Sequence, residues 1–182
     1  MSRKYKIKDQ TKPHFVTFSV VHWIDLFTRP VYANLLIDSL RHCQKNKGLT
    51  IYAWCFMTNH VHLIIGTKKN PIQDILRDFK SFTSKSLKKE IINNHQESRK
   101  KWILYLMEKT GKRNNNNENW QLWQQHNHPI ELFSNKFINQ KLNYIHMNPV
   151  KAGFVNKPEH WMYSSASDYC GEKGFLDVEL IR

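Results

Sequence analysis

Leu49-Thr50-Ile51-Tyr52-Ala53-Trp54-Cys55-Phe56-Met57-Thr58-Asn59-His60-Val61-His62-Leu63-Ile64-Ile65-Gly66-Thr67 decides how the chain folds. Residues 49–57 and 60–67 are rich in β-branched and aromatic side chains, and only Thr58-Asn59 separates them. Two such runs joined so briefly are the antiparallel arms of a hairpin. On both flanks the apolar spacing changes to that of a helix. Upstream, Val31, Leu35, Leu36, Leu40 and Cys43 recur at helical intervals, Pro30 suits a first helical position, and Gly48 stands where a helix stops. Downstream, Asn70 is placed to cap a helix from Pro71 to about residue 92, with Ile72, Ile75, Leu76, Phe79, Phe82 and Leu87 on its apolar side.

Residues 14–23, His-Phe-Val-Thr-Phe-Ser-Val-Val-His-Trp, alternate for most of their length and form a strand ahead of the first helix. Residues 93–119 are polar and basic, hold one short apolar cluster at 102–107 and end in an asparagine run, which predicts an inserted surface arm and loop. Residues 120–132 form a last extended segment. Ser134 caps a helix to about residue 147, where Pro149 ends it, and an aromatic-bearing tail occupies about 155–182. The order is that of one α+β domain over 1–182: a ferredoxin-like split βαβ, with an antiparallel sheet and helices on one face. A C-terminal tyrosine-bearing helix and a basic arm are added to it, and the other sheet face is left free for a ligand. That fold hosts many activities and names none.

The hydrophobic share of 40% over 182 residues suffices for one core and not for two. No segment approaches the roughly 18 uncharged apolar residues of a membrane span, and Met1-Ser2-Arg3-Lys4 leads into basic polar sequence, so the expectation is a soluble cytoplasmic protein with no membrane partner, nucleoid-associated when bound to DNA. Cys43, Cys55 and Cys170 are odd in number and lack paired spacing, which predicts reduced thiols. Lys and Arg outnumber Asp and Glu by 28 to 15, and the net charge of +13 favours a polyanionic partner, nucleic acid first. Lys80, Lys85, Lys88 and Lys89 make one side of the second helix basic and are candidate DNA contacts, as is Lys151.

His60 and His62 alternate on a strand, so both rings leave the same sheet face and can share a divalent ion. An isolated His-x-His is also common on solvated strands. On the last helix, Ile138, Leu142 and Ile145 form a narrow apolar stripe, while Tyr144 and Asn148 are i, i+4 neighbours on one flank. Asn148 can offer an amide oxygen to a metal and Tyr144 a phenolic oxygen to a phosphate held there. Taken alone, the pair also fits a half-buried tyrosine with an asparagine cap beside Pro149.

Met57-Thr58-Asn59-His60-Val61-His62-Leu63-Ile64 resembles the histidine-hydrophobic-histidine motif of the single-tyrosine HUH transposases. Tyr144-Ile145-His146-Met147-Asn148-Pro149-Val150-Lys151-Ala152-Gly153 resembles the tyrosine helix of their REP-associated branch. Trp123-Gln124, His128-Pro129-Ile130-Glu131-Leu132 and Tyr163-Ser164-Ser165-Ala166 extend the likeness over most of the chain. The resemblance implies Mg²⁺ or Mn²⁺ held by His60, His62 and Asn148, with Tyr144 as the nucleophile. It further implies a 5′-phosphotyrosine link, a free 3′-hydroxyl, and single-stranded or hairpin DNA as substrate. A metal on a non-bridging oxygen neutralises the phosphate so that the tyrosine can attack. His126, His128 and His146 are candidate general bases. Relatives act as dimers or as monomers; we expect a monomer. Two rival readings stay open: a non-catalytic nucleic-acid-binding module with an open antiparallel sheet, and a metal-dependent hydrolase that uses water.

Overall fold

The computed structural model describes residues 7, 9–114, 119–125 and 129–181. In chain order the elements are β1 (His14–Ser19), α1 (Pro30–Lys47), β2 (Leu49–Phe56), β3 (His60–Thr67), α2 (Ile72–Asn93), α3 (Lys100–Lys112), β4 (Ile130–Glu131), α4 (Asn135–Lys151) and a single turn, α5 (Ala166–Tyr169). Among the described residues the sheet runs β2-β3-β1-β4, every pairing antiparallel, which is the ferredoxin-like order. The hairpin closes on Met57 N–H donating to the His60 carbonyl at 2.8 Å.

One sheet face carries Val16, Phe18, Ile51, Trp54, Phe56, Val61, Leu63 and Ile65 into a core roofed by α1, α2 and α3. The opposite face carries Phe15, Ala53, Cys55 and Ile64 into a smaller cluster with Ile138 and Ile145 of α4. The second face is therefore not free, because α4 lies across β2 and β3 and buries its stripe there. Its position sets the last helix beside the strand that carries His60 and His62. A bulge between Ile51 and Ala53 lets β2 keep Trp54 on the first face and Cys55 on the second.

Local signals hold at α1, whose end is set by Gly48 at φ 74, a left-handed position where a Cβ would also press on Lys69. Elsewhere tertiary context overrides them. β1 stops at Ser19 rather than Trp23, because Val21–Trp23 turn into a 3₁₀ segment with His22 and Trp23 at positive φ. Asn70 does not cap α2; the Gln10 side chain accepts from Ile72 N–H at 2.9 Å instead. Phe82 is exposed, and Thr83 and Ile91 complete the buried side of α2.

The stretch 93–119, expected to be a surface arm and loop, holds α3, whose Ile103, Met107 and Gly111 are buried. These fall at i, i+4 and i+8, a stripe too narrow to stand out between the exposed Trp102 and Tyr105. Glu97, buried just before α3, is bound by Arg29 Nε at 2.7 Å and by Arg99 Nε at 3.1 Å. α4 begins at the predicted Ser134 cap but passes through Pro149 to Lys151. Its stop is a Schellman motif: Gly153 at φ 77, with Gly153 N–H donating to the Val150 carbonyl and Phe154 N–H to that of Pro149. The expected tail is built into the sheet edge. Phe56 N–H donates to the Tyr163 carbonyl, Ser165 N–H to that of Trp54 and Glu179 N–H to that of Ile51, which covers the outer edge of β2.

Candidate active site

β3 and α4 meet where their sequences carry polar groups among apolar ones. The His60 and His62 rings lie 4.7 Å apart, and the Tyr144 ring stands edge-on to His62 at 5.2 Å. Asn148 Nδ2 lies 3.1 Å from His62 Nε2. The four residues singled out in the sequence are thus brought together, two from a strand and two from a helix far along the chain. Among the described residues no three His, Cys, Asp or Glu side chains gather as a metal site, so an amide must complete any donor set here.

Hydrogen bonds fix which ring nitrogen is free on each histidine. The Asp25 carboxylate can only accept, and its Oδ1 takes a bond from Asn59 Nδ2 at 2.9 Å, with Thr58 Oγ1 donating to it at 2.6 Å. Asn59 therefore presents its oxygen to His60, whose Nδ1 lies 2.7 Å from Oδ1 and must carry the proton. The lone pair of His60 is left on Nε2. At His62 the Asn148 amide donates to Nε2, so Nδ1–H donates to Thr17 Oγ1 at 2.8 Å and the lone pair again sits on Nε2. Burial, with smaller effects from His60 and Lys141, pushes His62 down to about 3. Burial also lowers His60, against a smaller raising effect of Asp25. Both imidazoles are neutral at pH 7, the form in which imidazole ligates a metal. Two Nε2 lone pairs plus an amide that can turn its oxygen inward fit a hard divalent ion in part and a borderline one better.

Tyr144 is 41% exposed, so its hydroxyl is accessible while its ring leans on Phe15 at 5.9 Å and on His62. Lys141, one turn earlier, holds its Nζ over the rings of Phe15, Phe137 and Tyr144 at 4.8, 5.6 and 5.7 Å. His146 points the other way: its Nε2 lies 2.9 Å from Ser165 Oγ, and burial pushes it down to about 4. It fastens α4 to the C-terminal segment and takes no place beside Tyr144. His126 and His128 lie outside the described residues.

Lys80, Lys85, Lys88 and Lys89 are on α2, across the sheet from the histidines. Lys80 is half-buried, its Nζ 3.1 Å from the Gln124 carbonyl, and burial lowers it to about 8. Lys88 lies over the Trp120 ring, and Lys85 and Lys89 are exposed. Lys151 is exposed at the end of α4. Sequence reasoning missed Thr17, Asp25 and Lys141. Thr17 is found only through the register that sets it opposite His62, and Asp25 only through the turn at Val21–Trp23. Lys141 carried a signal, since it lies three residues before Tyr144 on the same helix flank.

No curated protein matches the chain in sequence. A solved REP-associated tyrosine transposase bound to a REP hairpin shares the fold, with a TM-score of 0.67 at 16% identity over 100% of this chain and 94% of that one. A second solved chain, described as a transposase from Deinococcus radiodurans R1, gives 0.43 at 18% identity over 80% of this chain and 94% of that one. The IS200-like transposase family matches residues 8–128, a stretch that includes both histidines and ends before Tyr144. With that match covering more than half of its length, the chain belongs to the IS200-like transposase family.

Proposed function

We propose that the protein is a metal-dependent endonuclease and strand transferase acting on single-stranded or hairpin DNA, with Tyr144 as its nucleophile. The observation that carries this reading is the convergence of two neutral histidines, Asn148 and an exposed tyrosine where β3 and α4 meet. Mg²⁺ or Mn²⁺, when bound, supplies positive charge to a non-bridging phosphate oxygen. His60 and His62, held by Asn59 and Thr17, would hold it through their Nε2 lone pairs, and Asn148 would complete the set through its amide oxygen once the amide that now faces His62 is turned over. Tyr144 then forms a bond from its phenolic oxygen to phosphorus as the bond to the 3′-oxygen breaks. The phenolic proton passes to solvent and the 3′-oxygen gains one from it. The 5′-phosphotyrosine keeps the energy of the broken bond, so a second 3′-hydroxyl can displace the tyrosine and rejoin DNA without ATP.

The hairpin is suggested by the REP-associated transposase of the same fold, which is bound to one. The test is a hairpin oligonucleotide labelled at each end in turn, incubated with Mn²⁺ and run on a denaturing gel. A protein-linked band that Tyr144→Phe abolishes supports the reading. Cleavage without such a band makes the protein a hydrolase using water, and binding without cleavage makes it a recognition module.

A further inference from the structure

The flank of α4 that leads to Tyr144 carries side chains that the proposed chemistry leaves idle. Phe133, just ahead of the helix, is 74% exposed, and its ring lies 5.3 Å from that of Phe137. Lys141 follows one turn after Phe137 and Tyr144 nearly one turn after Lys141, so the four residues form a line down one side of the helix. The Lys141 ammonium sits among the rings of Phe15, Phe137 and Tyr144, and among the described residues no carboxylate forms an ion pair with it. Core packing does not require an aromatic ring at Phe133. The exposed Phe133 ring, backed by the half-buried Phe137 and next to a cation with no ion-pair partner, is complementary to one nucleotide, whose base can stack and whose phosphate can pair with the cation.

We propose that Phe133, Phe137 and Lys141 form a subsite for an unpaired nucleotide adjoining the scissile phosphate, its base stacked on the exposed Phe133 ring that Phe137 backs and its phosphate held by Lys141. The line ends at the nucleophile. From Phe137 to Tyr144 the helix rises only about 10 Å, so what it grips is strand immediately beside the bond to be cut. Stacking tolerates any base, so the subsite selects for absence of pairing rather than for sequence.

The inference rests on the DNA-cleaving reading and extends it. Its test uses full-length Tyr144→Phe protein, which cannot cut, and measures by fluorescence anisotropy the binding of a stable hairpin with and without an oligothymidylate flank. The flank is expected to tighten binding in the parent. Phe133→Ala should reduce that gain about 5- to 150-fold, the range of one aromatic stack. Lys141→Met, which keeps the side-chain stem, should lower the slope of log affinity against log salt by about 0.7, the loss of one single-strand phosphate contact. Matching melting curves of parent and variants show that the fold is kept. A parent that binds both probes equally, or variants that leave the ratio and the slope unchanged, overturns the subsite. If the protein with Tyr144 intact still forms its covalent adduct in those cases, the subsite alone falls; if it neither binds nor forms an adduct, the functional reading falls with it.

Discussion

His146→Gln should make the protein resist mild acid. Burial holds His146 neutral in the fold down to about 4, while in the unfolded chain it takes up a proton near its ordinary value of 6.5. Because the folded value lies below the unfolded one, the unfolded state binds more protons as pH falls. Stability is then full above about 6.5 and drains away until the folded value is reached. Over that window the slope is about 1.4 kcal/mol per pH unit for one histidine, so moving from pH 7 to 5 costs about 2 kcal/mol at His146. His62, pushed down to about 3, adds about 2 kcal/mol by the same reasoning, and His60, lowered as well, adds in the same direction.

A loss of about 4 kcal/mol is a large part of the 5 to 15 kcal/mol that holds a domain together. Gln keeps a neutral hydrogen-bonding group facing Ser165 Oγ but has no proton to gain. Thermal unfolding followed by circular dichroism at pH 7 and pH 5 should show the variant losing about 2 kcal/mol less than the parent, or about 4 to 8 °C less in Tm for a chain of this length. Equal losses in the two proteins would refute the assignment of the acid sensitivity to His146. A variant that is simply less stable at both pH values, with an unchanged difference between them, would refute it equally.

Asp25→Ala should free the Asn59 amide to rotate and lower Mn²⁺ affinity about 10- to 100-fold with little change in Tm, read by isothermal titration calorimetry without DNA. Unchanged affinity would mean that the tautomer of His60 needs no such support. Glu97→Ala removes the buried acceptor of Arg29 and Arg99 and should destabilise by about 2 to 3 kcal/mol in urea, toward the lower end because both guanidinium groups reach solvent. Gly153→Ala, where no atom lies within 4 Å of the added Cβ, isolates backbone strain and should cost about 1 kcal/mol in the same assay.

What the sequence disclosed follows from how far each signal reaches. The hairpin was legible because turn, strand composition and alternation lie within one short window, and β3 has the bounds read for it. α1 was legible for the same reason, its proline start and glycine stop being local. Pro149 misled because a missing N–H costs one bond, which the burial of the proline and the Gly153 stop offset. α3 escaped because its three buried positions mean something only against partners distant in the chain, α2 and the Val21–Trp23 turn before it and Trp120 after it. The same division runs through the candidate site: chemistry-bearing side chains announced themselves, whereas the groups that orient them, Thr17 and Asp25, depend on strand register and on a left-handed turn.

The placement of Tyr144 links the stability of this fold to its proposed chemistry. Ile145, its neighbour in sequence, is fully buried with Ile64 and Phe15, and His146 is tied to Ser165 on the strip that covers β2. Asn148, one turn on, reaches His62, itself held by Thr17 of β1. Tyr144, the proposed nucleophile, is therefore followed directly in the chain by two buried anchors, one packed on the sheet that carries His60 and His62 and one fastened to the strip along its edge. A hydroxyl that must meet a phosphate within a fraction of an ångström gains more from this than from contacts of its own, since supporting residues locked by packing set the precision of a site. Loosening the anchors without touching His60, His62, Tyr144 or Asn148, as Ile145→Ala would by opening a cavity under α4, should then depress cleavage more than DNA binding, because phosphate grip is spread over many cations while attack depends on one oxygen.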